Sequence, residues 1–330
     1  LLFFEQNISD SEKIPPALMP FKRQILLSKT IEKIPDFSKD PKQCFSLALV
    51  LGQLMDQIYT ENLNIHDLPK LVDRNIFAKH WQITLDFLSI LSEYWPKILT
   101  EYQVIDAADR RNRLIYALGK NWEKNPPPYP VIISGSTGSI PATANLIKVV
   151  SNLKNGEIIL PGLDKIMDEN AWENITPSHP QETQKNLLSL INTTRDDVKI
   201  FYSENVSKRT EKENVMSTVM LPAKNSSLWQ NIKQDNKLMR DIEYTIKNVN
   251  RYDCSTIQQE ASLIAILLRE VVEEKDKIAA VITPDRELAH RISQICQRWN
   301  LNIDDTAGQA LPKTQIGQFF LLTMECVLNE

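Results

Sequence analysis

An α/β chain carrying a separate all-helical block is predicted by three features of the sequence. Val131, Ile132 and Ile133 form a short apolar run that breaks at a glycine-rich turn and passes into a helical pattern. A second apolar run, 278–282, leads in the same way into the helix-spaced Leu288, Ala289, Ile292, Ile295, Cys296 and Trp299. Upstream of both, from 43 to 122, the apolar residues recur at helical spacing.

The first forty residues mix charge with Pro15, Pro16, Pro20 and Pro35, which predicts irregular chain with short helices. Leu47, Leu49, Leu51, Leu54, Met55 and Ile58 predict a helix over 43–62 despite the cost of Gly52. Trp81, Leu85, Leu88, Leu91, Tyr94 and Leu99 predict another over 78–104, and Leu114, Ile115 and Leu118 a third over 107–122. Pro126, Pro127, Pro128 and Pro130 then stiffen the backbone and mark a domain junction.

The strand ending at Ile133 meets Gly135, Ser136, Thr137, Gly138 and Ser139, residues that tolerate unusual backbone angles. Pro141 suits the first turn of the next helix, along which Leu146, Ile147, Val149, Val150 and Leu153 are apolar. Gly156 closes that helix, and 157–160 gives a second strand, completing a βαβ unit whose glycine turn lies at the edge where such sheets bind ligands. A helix over 181–191 and a third strand over 198–202 are expected next. The polar 203–214 stretch reads as a surface crossing, with Lys208 and Arg209 solvated.

In the last quarter, Ile257, Ala261, Ile264, Ala265, Leu268, Val271 and Val272 share a helical face. The 278–282 run reads as a buried strand, with Thr283 as cap, Pro284 in the first helical turn and Asp285 on the helix dipole. Leu301 with Ile303 suggests a short strand, and Trp299 a core position.

At 330 residues the chain is long enough for two or three cores. Its 42% hydrophobic and 24% charged residues are those of an ordinary globular protein, and no apolar run reaches membrane-spanning length, so a cytoplasmic protein without a membrane partner is expected. A net charge of −4 argues against coating nucleic acid wholesale but allows a local groove. Cys44, Cys254, Cys296 and Cys326 show no CxxC spacing; Cys296 and Cys326 fall on apolar helix faces as expected inert thiols. Leu1 in place of Met, the core-like Leu-Leu-Phe-Phe start and the abrupt Glu330 suggest a piece of a longer polypeptide.

The glycine turn invites phosphate without the means to activate one. A P-loop needs four residues between its glycines and then Lys and a hydroxyl, whereas Gly135 and Gly138 have two between them, and Ile140 and Pro141 follow Ser139. Ser134 and Gly135 stand at the strand end where a carboxylate pair would hold magnesium. The turn is either a helix cap or an anion site. His179 before Pro180 reads as a hydrogen-bonding turn residue, and His66, His80 and His290 have no ligand-spaced partner. Asp304 and Asp305 are adjacent and suit a turn better than a metal. Arg110, Arg111 and Arg113 fit either a solvated helix face or a DNA contact.

Four runs resemble the AddB family of alphaproteobacterial type, whose members join AddA in a helicase-nuclease that repairs double-strand breaks. They are Ile133-Ser-Gly-Ser-Thr-Gly-Ser-Ile-Pro-Ala-Thr-Ala144, Leu160-Pro-Gly-Leu-Asp164, His179-Pro-Gln181, and Thr283-Pro-Asp-Arg-Glu-Leu-Ala289 continuing through Arg298-Trp299 to Asp304-Asp-Thr-Ala-Gly308. The resemblance covers residues from about 106 to 322. It implies RecA-like, UvrD-like parallel-sheet domains: 1–40 as the remainder of the first, 41–125 as a helical insertion, 126–252 as the return to the first, and 253–330 as the start of the second. It further implies that Ser134, Gly135 and Thr283 are degenerate ATPase positions and that 161–164 replaces a glutamine-bearing motif coupling ATP to DNA. The parent complex would be an ATP-dependent helicase and exonuclease whose magnesium site and iron-sulphur cluster lie in a nuclease absent from this chain. No catalytic residue, metal or cofactor is therefore expected here. The implied role is to hold or scan single-stranded or unwinding DNA and to scaffold AddA. Candidate DNA contacts are Ser136, Thr137, Gly138 and Ser139, followed by Arg286 and Lys313. The alternative is an α/β small-molecule enzyme that binds a phosphorylated ligand at the 136–139 turn.

Overall fold

A computed structural model of the chain describes residues 2–6, 13–33, 40–64, 90–201, 206–247, 249–306, 308 and 310–328. It divides into two compact units, Leu1–Lys247 and Asn248–Glu330. The structure is 61% helical, and one parallel pair of strands is the whole of its sheet among the described residues. RecA-like parallel-sheet domains are therefore not what this chain forms. The reason lies in pairing: the apolar runs predicted as further strands at 198–202, 278–282 and 301–303 find no ladder partner among the described residues.

In the first unit, α1 (Leu2–Gln6), α2 (Pro20–Glu32) and α3 (Pro41–Thr60) precede a π-helical turn (Ile90–Tyr94) that runs into α4 (Trp95–Glu101) and then α5 (Ala107–Lys124). The 13-residue α2 replaces part of the irregular segment expected at the N-terminus; Leu27, Thr30 and Ile31 bury one of its stripes. Asp40 caps α3 by accepting the N–H of Lys42, and Pro41 follows at the first helical position. The 78–89 part of the predicted second helix, with Trp81, Leu85 and Leu88, lies outside the described residues, as do His66 and His80.

A buried ionic hub joins these helices. Asp106 is fully buried, accepts the indole N–H of Trp95 at 2.8 Å, and has Arg23 Nε 2.6 Å from its Oδ1. That contact is an ion pair rather than a hydrogen bond, because its N–H is poorly aligned. Arg23 also donates to Asp56 at 3.0 Å, and Tyr59 bonds to Asp106. Burial pushes the Asp106 carboxyl up, while Arg23, Trp95 and Tyr59 pull it back down. Burial and the neighbouring carboxylates Asp106 and Asp109 push the Tyr59 phenol up as well.

The expected βαβ unit follows. β1 (Val131–Ser134) and β2 (Gly156–Ile159) pair in parallel, with Val131 opposite Gly156 and Ser134 opposite Ile159. Between them runs α6 (Pro141–Ser151), whose Val149 and Val150 pack with Leu118 and Trp122 of α5. Gly156 sits where backbone touches backbone: a Cβ there would lie 1.9 Å from the carbonyl oxygen of Val150. A short α7 (Glu169–Glu173) and α8 (Glu182–Leu190) come next; Leu187 of α8 packs with Ala144 and Ile147 of α6 against Ile133 and Ile158 of the strands.

The supposed polar crossing is instead helical, as α9 (Val206–Val219), with the side chains of Lys208 and Arg209 outside the described residues. Its Glu, Lys and Met residues favour helix, and Val215 is buried. A 3-10 segment (Ala223–Gln234) and α10 (Asn236–Ile246) complete the unit.

In the second unit, α11 (Ile257–Glu273) packs on α12 (Arg286–Arg298) through Ala261, Ala265, Leu288, Ile292, Ile295 and Cys296. α12 begins two residues later than predicted: Asp285 is its cap, accepting from Glu287 and Leu288 N–H, and Thr283 and Pro284 precede it. Trp299, expected in the core, is 41% exposed just past the end of α12. A 3-10 turn (Leu311–Lys313) leads into α13 (Gln315–Leu328), where Cys326 is exposed rather than buried. Among the described residues no helix is long and apolar enough to cross a membrane.

Candidate functional site

The carboxyl edge of the β1–β2 pair is built by residues from four places in the sequence. β1 ends at the exposed Ser134, and Gly135 and Gly138 take φ values of 75° and 71°, the left-handed region open to glycine. The N–H of Gly138 donates to Ser136 Oγ at 3.2 Å, which ties the turn to itself. A Cβ on Gly138 would come within 3.0 Å of Leu187 Cδ1, so α8 closes the turn from one side. Ser136, Thr137 and Gly138 are half-buried, and Ser139 is exposed.

The turn does not cap α6. Ile140 holds the cap position, and among the described residues no side chain bonds to the first N–H groups of the helix. An uncapped N-terminus presents N–H donors and the positive end of the helix dipole, the arrangement that accepts a phosphate oxygen.

Beyond β2, the 160–164 loop is held in place by side-chain amides of α8 and of the corner before it. Gln181 accepts the N–H of Asp164 at 2.9 Å and donates to the Gly162 carbonyl at 2.9 Å. Gln184, 2% exposed, donates to the Pro161 carbonyl, and its own Oε1 is buried without a partner. Asp164 folds the following chain by accepting from Ile166 and Met167 N–H. Arg195 donates to the carbonyls of Asp164 and Met167, pairs with Glu169, and lies 4.5 Å over the Trp172 ring.

His179 is the hydrogen-bonding turn residue its sequence context suggests. Gln181 N–H donates to Nδ1 at 3.1 Å, so Nε2 carries the proton and donates to the Met220 carbonyl at 2.6 Å. Three of the four sequence runs are thus brought to one edge: the glycine turn, the 160–164 loop and the 179–181 corner.

The fourth run lies in the second unit. Arg286 makes a two-pronged pair with Asp305 at 3.0 and 2.8 Å and donates to the Gly308 carbonyl at 3.0 Å. Hydrogen bonding to Asp305 raises the guanidinium pKa further, so this arginine folds the 305–308 turn rather than standing free. Thr283 Oγ1 accepts the N–H of Asp285 at 3.1 Å. Lys313 ends the short 3-10 turn, and its side chain lies outside the described residues. In the helical block, Arg110 is held by Pro15 O and Glu5, Arg111 by Thr60, and Arg113 by Asp109.

Sequence reasoning missed Gln184 and Arg195. Gln184 stands among polar neighbours in a helix, where nothing distinguishes a buried amide from a solvated one. Arg195 follows a threonine pair in an irregular stretch whose packing on Trp172 has no local signature. No group of three or more His, Cys, Asp or Glu is arranged to hold a metal among the described residues. No protein-family model matches the chain, and no curated protein is similar enough to count as a relative.

Proposed function

We propose that this chain is a non-catalytic part of an AddB-type subunit, holding single-stranded DNA by its backbone at the 136–139 turn and serving as scaffold for AddA. The observation that carries the reading is convergence. The first three runs of the resemblance are spread over residues 133 to 181, yet they share one edge of the β1–β2 pair. At that edge an uncapped helix N-terminus and the Ser136, Thr137 and Ser139 hydroxyls offer donors suited to phosphate oxygens. The sequence supplies neither a lysine after the turn nor a carboxylate at the end of β1, which favours holding a phosphate over cleaving one.

Fluorescence anisotropy with a labelled oligothymidylate tests this. Binding should weaken with salt, with a logarithmic slope of about −0.7 for each phosphate engaged. Ser139→Glu, which places a like charge at the exposed end of the turn, should lower affinity roughly tenfold at low salt, a cost of about 1.4 kcal/mol. Co-elution of the purified chain with AddA tests the scaffold role. If the full chain neither bound the oligonucleotide nor co-eluted with AddA, the proposal would be wrong. Stabilisation by a phosphorylated small molecule that Ser139→Glu abolishes, without any DNA binding, would move the assignment to a small-ligand protein.

A further inference from the structure

The 14-residue α13 lacks a covered face. Of its described residues only Gly317 is buried, where a Cβ would come within 1.8 Å of the Leu311 carbonyl oxygen; every residue from Gln318 to Val327 is exposed. A helix this short draws its stability from an apolar face packed on something.

The helical repeat shows which face that is. At about 3.6 residues per turn, Ile316, Phe319, Phe320, Thr323, Met324 and Val327 fall on one side, and Gln318 and Glu325 on the other. Thr323 donates its hydroxyl to the Phe319 carbonyl at 2.8 Å, which leaves its methyl for packing, and the Phe319 and Phe320 rings meet edge to face at 6.4 Å. The five apolar members of the stripe are 58–71% exposed. They offer roughly 700 Å², close to the ~800 Å² that one partner gives to a standard interface and more than an ordinary monomer leaves uncovered in one patch.

Two properties of the stripe choose its occupant. α13 contains no Lys or Arg, so neither nucleic acid nor an anionic membrane surface finds a cation on it. The stripe is also nearly palindromic. Reversed about the point between Leu321 and Leu322, Ile316 falls opposite Val327, Phe319 opposite Met324 and Phe320 opposite Thr323. A two-fold contact requires this, because one patch must fit itself run backwards. Each pairing joins shapes that pack: two β-branched side chains, an aromatic ring with a thioether, and an aromatic ring with a methyl group. We infer that this chain forms a two-fold homodimer in which α13 packs antiparallel on the α13 of a second copy, with Phe320 and Thr323 at the centre and Gln318 and Glu325 facing water.

Sedimentation equilibrium of the full chain tests this. The average mass should rise with concentration from that of one chain toward that of two. Phe320→Glu puts two like charges beside the two-fold axis and should weaken association at least about tenfold. Gln318→Lys, on the outer side, should leave association unchanged, and both variants should match the parent by circular dichroism. Cross-linking reads the direction of the pair. Antiparallel helices set the two copies of Thr323 about 4.5 Å apart along the axis and the two copies of Cys326 about 13 Å apart, beyond disulfide reach. With Cys254→Ser in place, mild oxidation should therefore link copies through Thr323→Cys combined with Cys326→Ser, and not through Cys326 itself. A monomer at every concentration, a dimer indifferent to Phe320→Glu, or preferential linking through Cys326 would overturn the inference. A monomer that bound phosphatidylcholine vesicles, with binding lost in Phe320→Glu, would overturn it in favour of a lipid surface.

Discussion

Two apolar runs with nearly the same local sequence character end differently. Val131–Ser134 pairs with Gly156–Ile159, and Ile133 and Ile158 pack against α6 and α8. The 278–282 run, also rich in β-branched residues, has no strand partner among the described residues, with Ile278 96% and Ile282 95% exposed. A β-favouring local pattern does not by itself make sheet; whether a run becomes a strand depends on a partner elsewhere in the chain. The arginine–aspartate pairs repeat the contrast. Arg23 with Asp106 is buried among four helices, whereas Arg286 with Asp305 is an exposed pair.

The contrast can be broken most forcefully at the buried pair. Arg23→Met strips the buried Asp106 of its cation while Trp95 remains bonded to it, and chemical denaturation should show a loss of about 3–5 kcal/mol. Ile147→Ala comes next, because Ile147 is fully buried against the strand pair, and about 3 kcal/mol should be lost. Gly138→Ala forces a side chain into the left-handed region and against Leu187, for about 1–2 kcal/mol by the same assay.

Alkaline pH sharpens the comparison. The Tyr59 phenol titrates above its unfolded value of 10.0, so past that pH the unfolded chain loses a proton that the folded chain keeps. Stability from this group is complete below pH 10.0 and falls as pH rises, by at most about 1.4 kcal/mol per pH unit. Tyr59→Phe should flatten the alkaline limb of a stability–pH curve; an unchanged limb would show that the phenol is not held by the hub. The smallest effect is expected at the unpaired run. Ile278→Thr with Ile282→Thr should shift the denaturation free energy by less than about 0.5 kcal/mol, because neither side chain leaves water on folding. A loss above that would mean that the run is covered in the folded protein.

What could be read from the sequence follows the same division. The helix over 43–62 appears as Pro41–Thr60 and the βαβ unit as 131–159, because each carries its own periodicity and its own breaks at Pro and Gly. Among the described residues of 198–202 and 301–303 no strand forms, since nothing local says whether a partner exists. The α12 cap is Asp285 rather than Thr283 because both precede a helix with suitable side chains, and only the bonds to Glu287 and Leu288 distinguish them. At the candidate site the glycine turn was legible from Gly135 and Gly138. The amides that fix the loop beside it were not, because Gln181 and Gln184 act through backbone groups some twenty residues away.

The backbone contact at Gly156 has a consequence for the whole module. Any side chain there would overlap the Val150 carbonyl, so the backbone that sets where β2 begins would have to shift. A slip of a single residue exchanges the two faces of a strand, so Glu157 would turn toward the packed interior and Ile158 toward water. The bare Cα of Gly156 thus lets β2 begin where Ile158 meets the helices.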